Sequence, residues 1–511
     1  MIKAIFTAKA LRRRAVRSSA LSLLIFLSSL CLCVSAIQIS AQEQPPAPGP
    51  PRPVKIPQVV EKKLPNGLTV VVIERKGSPL IATRLMVGIG ASAESLKNAG
   101  LANMTADLLT KGTKTRDATK IAEDLEFLGA DLGTSVGFDT TSVSMSVTSD
   151  KIAPAMAVMS DVILHPTFPQ NELDLLKSQK LDELTANLST PGFLTSYVAS
   201  VYSYGASPAS GTPASLQGMT RQDVSDFYNG YFSPNRATLF FVGDITPAAA
   251  YQIAEQNFGA WKAQASALPM AVGEGSPIET KSIVNRILVI DLPKSGQASV
   301  SFARQLRSVG HIAAGDAGAP HIGPDYFPGV LTNSVLGGGY SSRLNLEIRI
   351  KRGLSYGAGS SISWRPMSSR FATRVQTKNE SAAEVAELTV EQLRSMAQEN
   401  AAPSELAARR AALIGDFDLH LETDAELLDV ISDLYANHLG TGELSQYERN
   451  VSSVDLAAMK QFAAKNFISG DLIIAGDYSV FKDDLKKRFP NMPITAIEAD
   501  KLDLTKPSLQ K

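Results

Sequence analysis

The sequence predicts an α+β fold with two homologous domains, each an antiparallel-rich sheet packed with helices. Strand and helix patterns are mixed from residue 59 onward. The order of strand, Gly-Asp and helix at residues 232–261 returns at residues 466–490, where its Gly-Asp pair is displaced by 233 residues. A single displacement with a shared order of elements indicates a duplicated domain. About 450 residues follow residue 57, more than one hydrophobic core usually supports.

The chain begins with a basic segment followed by an apolar run. Six Lys and Arg residues lie within residues 1–17, and residues 21–34 read LSLLIFLSSLCLCV. Small residues follow, so the pattern predicts a secretory signal peptide over residues 1–41 and export to the periplasm. Because the segment is rich in Arg and Ser and has no Asp or Glu, a mitochondrial transit peptide is the alternative. The run is short for a membrane span, so no stable membrane anchor is expected.

The remaining composition argues against several classes of function. Both cysteines, Cys31 and Cys33, lie in the leader, so neither disulfide nor thiol chemistry is expected in the mature chain. Removal of residues 1–41 takes away six of the 50 basic residues and none of the 50 acidic ones, which leaves a net charge of −6. We therefore expect no nucleic-acid partner and no polybasic membrane patch.

The elements of the first half each have a local sequence signal. An Asn-Gly turn and a β-branched run predict a strand within residues 64–74, and residues 78–91 are a second strand candidate. Asp117 as N-cap and Gly129 as stop delimit an amphipathic helix. Apolar residues alternate with polar ones at residues 142–149, which predicts a half-buried strand.

Three further segments carry a resemblance to a known family. They are GLANMTADLLTKGT at residues 100–113, FYNGYFSPNRATLFFVGD at residues 227–244 and LGGGYSSRLNLEIRIKRGLSYG at residues 336–357. With the preceding strands, they resemble the pitrilysin/insulinase (inverzincin) family of zinc peptidases, and among them the processing-peptidase-like branch with two subunits. The resemblance spans residues 59–493 and implies two domains that form half of a clam-shell chamber.

The resemblance also implies an organisation for the whole chain. The segments are a signal peptide (1–41), a Pro-rich tether (42–57), an N-terminal peptidase-like domain (58–270), a linker (271–283), a C-terminal peptidase-like domain (284–498) and a tail (499–511).

The first domain of this chain lacks the family's zinc motif. In the family, a helix carries H-x-x-E-H, whose two histidines hold zinc and whose glutamate is the general base. Here the motif runs from Asn103 to Asp107, and Ala106 stands at the position of the base. Glu183 matches a third ligand, a glutamate on a later helix. One carboxylate does not hold zinc, so we expect no cofactor in this chain.

Two other groups of residues could in principle bind a metal. Asn103, Asp107 and Glu183 offer oxygen atoms, which Ca²⁺ or Mg²⁺ prefer, but such sites usually need more carboxylates and carbonyls. Hydrogen-bonded polar residues in a vestigial cleft are the favoured interpretation. None of the five histidines has a second histidine at helical spacing, so each is expected to be an ordinary surface or loop residue; they are His165, His311, His321, His420 and His438.

The second domain keeps residues that the family uses for substrate. Arg352 and Tyr356 match an arginine and tyrosine pair that projects toward the bound peptide, where both side chains can donate hydrogen bonds. Gly337, Gly338 and Gly339 precede them and let backbone approach a ligand. Taken alone, so short a motif is more typical of a helix-start loop, a solvated charge and a strand residue than of a binding site. The resemblance along the chain favours the substrate-binding role.

In the two-subunit branch, one chain lacks the zinc motif and keeps this pair, while its partner holds the zinc. The resemblance therefore implies a non-catalytic, substrate-binding subunit of a heteromeric zinc metalloendopeptidase, inactive alone. Its expected partners are a homologous zinc-bearing peptidase subunit and a peptide substrate. The alternative is a peptide-binding or assembly module without a peptidase partner.

Overall fold

The computed structural model describes residues 56–263, 282–307, 322–366 and 368–511. These residues contain two six-stranded sheets, one formed by each half of the chain. The predicted signal peptide, most of the tether and most of the linker lie outside the described residues, as do His311 and His321.

The first sheet is formed by strands from the first half. Its strands are β1 (Val60–Lys63), β2 (Thr69–Glu74), β3 (Leu80–Val87), β4 (Asp131–Val136), β5 (Thr141–Thr148) and β6 (Ala237–Gly243). They lie in the order β1, β2, β6, β3, β5, β4. Strands β2 and β6 are parallel, and the other neighbours are antiparallel.

The second sheet repeats this arrangement. Its strands are β7 (Val284–Asp291), β8 (Ala298–Arg307), β9 (Ala358–Ser363), β10 (Ser368–Thr377), β11 (Gly470–Gly476) and β12 (Ile494–Glu498). Their order is β12, β7, β11, β8, β10, β9, so five strands of each sheet correspond in order and direction. The corresponding strands β6 and β11 end at Gly243 and Gly476. The predicted α+β fold with two similar domains is confirmed.

The helices cover the sheets and lie between them. Those of the first half are α1 (Leu101–Leu109), α2 (Ala118–Leu128), α3 (Ile152–Leu164), α4 (Gln170–Asn187), α5 (Pro191–Tyr202), α6 (Pro213–Gly218), α7 (Arg221–Tyr231) and α8 (Pro247–Phe258). Those of the second half are α9 (Tyr326–Leu336), α10 (Ala382–Gln398), α11 (Pro403–His420), α12 (Asp424–Ala436), α13 (Glu443–Ser453), α14 (Leu456–Asn466) and α15 (Tyr478–Arg488). A π-helical segment, Asn345–Lys351, lies between α9 and β9.

Local sequence signals account for several element boundaries. The Asp117 side chain accepts a hydrogen bond from the Lys120 N–H at 2.8 Å, which caps the start of α2. Gly129 ends the same helix with φ 62°, a conformation that glycine adopts without strain. In β5, Val143, Met145 and Val147 are buried, as their alternation with polar residues predicts.

Each half contributes a helix that packs on the sheet of the other half. Helix α12 of the second half covers one face of the first sheet, where Leu428 and Ile431 pack against Val71 and Phe240. Helix α5 of the first half packs against β8 and β11 of the second sheet, where Ala199 belongs to a small buried cluster. Because burial of one large apolar side chain stabilises a fold by about 2 kcal/mol, these exchanged helices join the halves firmly.

The C-terminal residues 499–511 return to the first half. Leu504 and Leu509 are 3% and 4% exposed and belong to the hydrophobic cluster of the first sheet. The predicted tail is therefore a packed part of the described structure.

Candidate functional site

Helix α1 carries the positions of the zinc motif and is fixed at its N-terminus by a buried carboxylate. The side chain of Glu94 accepts hydrogen bonds from the N–H groups of Gly100, at 2.9 Å, and Ala102, at 2.7 Å. Negative charge at this end of a helix is stabilised by the helix dipole. Burial acts in the opposite direction and raises the pKa of Glu94 to about 7.

The polar side chains at the motif positions bind other protein groups. The Asn103 amide donates to the carbonyl of Ala209 at 2.9 Å. Asp107 Oδ2 lies 2.6 Å from the ammonium nitrogen of Lys180, and Thr134 donates to Asp107 Oδ1 at 3.4 Å. Ala106 is buried and offers no donor atom to a metal.

Glu183 does not join this group. Its side chain is exposed and has no hydrogen bond or ion pair with any residue that the structure describes. Lys180 lies three residues earlier on α4, and residues at this spacing face the same side of a helix. A role for Lys180 was not predicted, although its spacing from Glu183 was visible in the sequence.

These residues do not fit a zinc ion. The donor set consists of one amide and one carboxylate already paired with an ammonium group, whereas catalytic zinc takes three protein ligands. Nor do the described residues contain any group of three or more His, Cys, Asp or Glu side chains placed to hold a metal. The ammonium of Lys180 also neutralises the Asp107 carboxylate that a hard cation would need.

The histidines within the described residues lie apart from this helix. His165 Nδ1 is 3.2 Å from Asp161, whose other carboxylate oxygen accepts hydrogen bonds from Thr113 and Arg116. His420 ends helix α11 and His438 follows α12. The structure does not bring them together.

The second half contains an open cleft of about 1170 Å³. Residues from strands β8, β9 and β10 line it, and Ser196 of helix α5 contributes from the first half. Gly337, Gly339 and Tyr356 are also in its lining, whereas Gly338 and Arg352 are not. The structure therefore brings three of the five residues predicted for substrate binding to one cleft.

Close packing explains two of the three glycines. A Cβ atom on Gly337 would lie 2.2 Å from the backbone nitrogen of Ser360, which donates a hydrogen bond to the Gly337 carbonyl. A Cβ atom on Gly338 would lie 2.6 Å from the Cα atom of Ser334. At Gly339 the nearest atom, 2.7 Å away, belongs to the end of the flexible Arg409 side chain, which can move aside. The predicted approach of a ligand stays a prediction.

Arg352 and Tyr356 have different environments. Arg352 Nε and Nη1 each lie 3.1 Å from a carboxylate oxygen, of Glu347 and Glu384 respectively. Tyr356 is 92% exposed and its side chain borders the cleft. Arg352 therefore fixes the segment before Tyr356 to the π-helical segment and to α10, while Tyr356 projects freely.

The described residues include no helix that is long and apolar enough to span a membrane.

Comparisons with known proteins agree with this architecture. Residues 69–200 match the family model described as insulinase (peptidase family M16), and residues 218–413 match the one described as the peptidase M16 inactive domain. The uncharacterized zinc protease YmxG of Bacillus subtilis is 23% identical over 362 residues, which cover 70% of this chain and 83% of that protein.

Two solved structures share the fold. A peptidase M16 inactive domain from Pseudomonas fluorescens has a TM-score of 0.72 and 24% identity, over 82% of this chain and 98% of that one. The periplasmic protease PqqL from Escherichia coli has a TM-score of 0.65 and 16% identity, over 87% of this chain and 51% of that one.

Proposed function

Because the chain belongs to the insulinase (M16) family of peptidases, we propose that it is the non-catalytic, substrate-binding subunit of a heteromeric zinc endopeptidase. Its partner is a homologous chain that carries an intact H-x-x-E-H helix and the zinc ion. The two chains enclose a chamber, and this chain presents its second-half cleft to a peptide that the partner cleaves.

The ion pair between Lys180 and Asp107 carries this proposal. It places a cation from the protein itself beside the second histidine position of the motif, at 2.6 Å from the carboxylate. Ala106, at the position of the general base, has no proton-accepting group. A chain with these residues lacks both parts of the reaction centre of a zinc peptidase, the metal site and the base.

The chemistry of the cleft supports a role in binding peptide. Ser301, Ser361 and Gln376 provide small polar groups in its lining, and Tyr356 adds an exposed phenol. Hydroxyl and amide groups of this kind donate to and accept from peptide backbone groups. The Nη2 group of Arg352 has no acceptor among the described residues, so it remains available to a peptide carbonyl.

Export to the periplasm, with cleavage of a leader over residues 1–41, is part of the same proposal. The leader pattern supports it. A secreted endopeptidase would also be consistent with the absence of cysteine after Cys33.

The direct test is reconstitution with a homologous chain that carries H-x-x-E-H. We expect the two chains to copurify, the present chain to cleave no peptide alone, and the mixture to cleave one. A partner variant with its motif glutamate replaced by glutamine serves as the control and should abolish cleavage by the mixture. Copurification without any gain in cleavage would refute the subunit role and favour an assembly module.

A further inference from the structure

Two arginines without acceptors lie at the contact between the halves. The guanidinium carbons of Arg365 and Arg370 are 4.3 Å and 4.6 Å from the ring centre of Phe138. Arg370 is also 4.7 Å from the ring centre of Tyr204. Phe138 and Tyr204 belong to the first half, and the two arginines flank the start of β10 in the second half. Aromatic faces hold both guanidinium groups in place.

Neither guanidinium group makes a hydrogen bond or an ion pair with any residue of the described part of the chain. Arg365 Nη1 and Arg370 Nε are buried from solvent without an acceptor. Such an arrangement is unusual, because buried charges in proteins are normally paired. Both arginine side chains are partly exposed, which gives a ligand access to the pair.

The surrounding carboxylates compensate the charge of this pair only in part. Asp139 faces both arginines but forms no ion pair with either, and burial raises its pKa. Asp471 is already bound by Arg286 at 2.8 Å and 2.9 Å. Burial and the nearby charge of Arg365 lower the pKa of Arg370 to about 10. The site therefore has a net positive charge that an anion would stabilise.

Arg370 lies on a sheet face that borders the cleft. Along β10, side chains alternate between the two faces, so Arg370, Ala372, Arg374 and Gln376 point to one side. The last three of these line the cleft. Tyr356 precedes Ala358, which pairs with Val375 near the far end of β10. At about 3.3 Å per residue, the strand from Arg370 to its end spans roughly 23 Å.

We propose that Arg365 and Arg370 form an oxyanion-binding site that receives a carboxylate of the peptide in the cleft. That the carboxylate belongs to a peptide rests on the proposed function. The presence of an oxyanion-binding site does not depend on it. A carboxylate is planar and accepts two N–H groups of one guanidinium at once, which suits these fixed groups. An extended peptide that reaches from Tyr356 to the arginines would need about seven residues. The cleft would thus prefer a peptide whose carboxylate lies about seven residues from the residue bound beside Tyr356.

Inorganic phosphate has the same oxyanion chemistry and tests the site without a peptide. We expect phosphate to raise the Tm of the purified chain, and Arg365→Gln or Arg370→Gln to abolish that rise. Arg394→Gln, on the exposed face of α10, is the matched control and should keep it. Asp139→Asn should strengthen phosphate binding, because it removes the nearest negative charge. An equal Tm rise in wild type and both site variants, or no rise in wild type, would overturn the oxyanion site.

The Tm without phosphate separates a binding role from a structural one. Each substitution removes one of two repelling charges and also a contact with an aromatic ring, and because these effects oppose each other the Tm should change little. If Arg365→Gln and Arg370→Gln each lower the Tm while Arg394→Gln does not, the arginines support the fold, and the proposal fails.

The peptide source is tested with an octapeptide that has either a free C-terminal carboxylate or a C-terminal amide. Wild type should bind the free acid about tenfold more tightly, and Arg370→Gln should bind both forms equally. Equal binding of both forms to wild type would overturn the peptide carboxylate. If neither peptide binds but phosphate does, the proposed peptide cleft fails, and the site takes a small inorganic anion.

Discussion

Lys180 Nζ lies 2.6 Å from Asp107 Oδ2, so helix α4 supplies an ammonium group to the helix that carries the zinc motif in related peptidases. Both side chains are largely shielded, with 21% and 34% of their surfaces exposed. The ammonium group of Lys180 is therefore a positive charge between these two helices.

Removal of Lys180 should weaken the contact between α1 and α4. Lys180→Met leaves the Asp107 carboxylate unpaired, and we expect a loss of about 1 kcal/mol, the upper end for partly exposed ion pairs. Urea unfolding measures it, and Asp107→Asn combined with Lys180→Met should restore part of the loss. Lys97→Met is the matched control, since Lys97 is exposed. Equal effects of Lys180→Met and Lys97→Met would contradict a stabilising pair.

Glu94 should make the stability of the fold depend on pH. Its pKa is raised from 4.5 to about 7, so the folded state holds the proton over a pH range in which the unfolded state has lost it. Its stabilising contribution is complete below pH 4.5 and is lost as pH rises through about 7. The loss amounts to about 3 kcal/mol at most, because one pKa unit corresponds to about 1.4 kcal/mol.

The measurement for Glu94 is the urea midpoint on either side of that pH range. Glu94→Gln cannot ionise, so its midpoint should fall less between the two pH values than that of wild type. The same pH dependence in both proteins would show that Glu94 does not titrate in this range.

Gly337→Ala should destabilise the loop beside the cleft. Its Cβ would lie 2.2 Å from Ser360 N, so β9 would have to move, and overpacking of this kind typically costs about 1–3 kcal/mol. Gly357→Ala is the matched control because a Cβ there meets no atom within 4 Å. Thermal unfolding compares the two, and equal Tm values would contradict the close approach of the loop to β9.

Tyr356 should act on substrate without supporting the fold. Because its side chain is 92% exposed, Tyr356→Phe should leave the Tm unchanged. In the reconstituted complex, loss of a hydroxyl that donates to the reacting carbonyl should lower kcat at least about tenfold. Phe127→Leu changes another exposed aromatic residue, 89% exposed in the first half, and should have no effect. Unchanged turnover with Tyr356→Phe would remove this residue from the proposed mechanism.

Local patterns in the sequence predicted much of the fold. The caps of α2 at Asp117 and Gly129 and the alternation in β5 are short-range signals, and the two domains were visible as a repeat with Gly243 and Gly476 at equivalent positions. Strand β4, Asp131–Val136, was not predicted, because Asp131 and Gly133 have little β propensity and weaken the strand pattern. The exchange of helices α5 and α12 between the halves was also invisible, since an apolar helix face does not identify the sheet that it covers.

The site was only partly predictable for the same reason. The sequence shows directly that Asn103 and Asp107 stand where the family has histidines. The ion pair between Lys180 and Asp107 depends instead on how helices α1 and α4 pack. The carboxylates around Arg352 come from Glu347, five residues away, and Glu384, 32 residues away. That Arg365 and Arg370 lack such partners is a property of the three-dimensional arrangement alone.

The zinc content of the purified chain tests the central claim most directly. After equilibration with zinc and removal of the free ion, elemental analysis should find no stoichiometric zinc, because Asp107 is paired with Lys180 and Ala106 offers no ligand. One tightly bound zinc per chain that is lost in an Asp107→Ala variant would contradict the account.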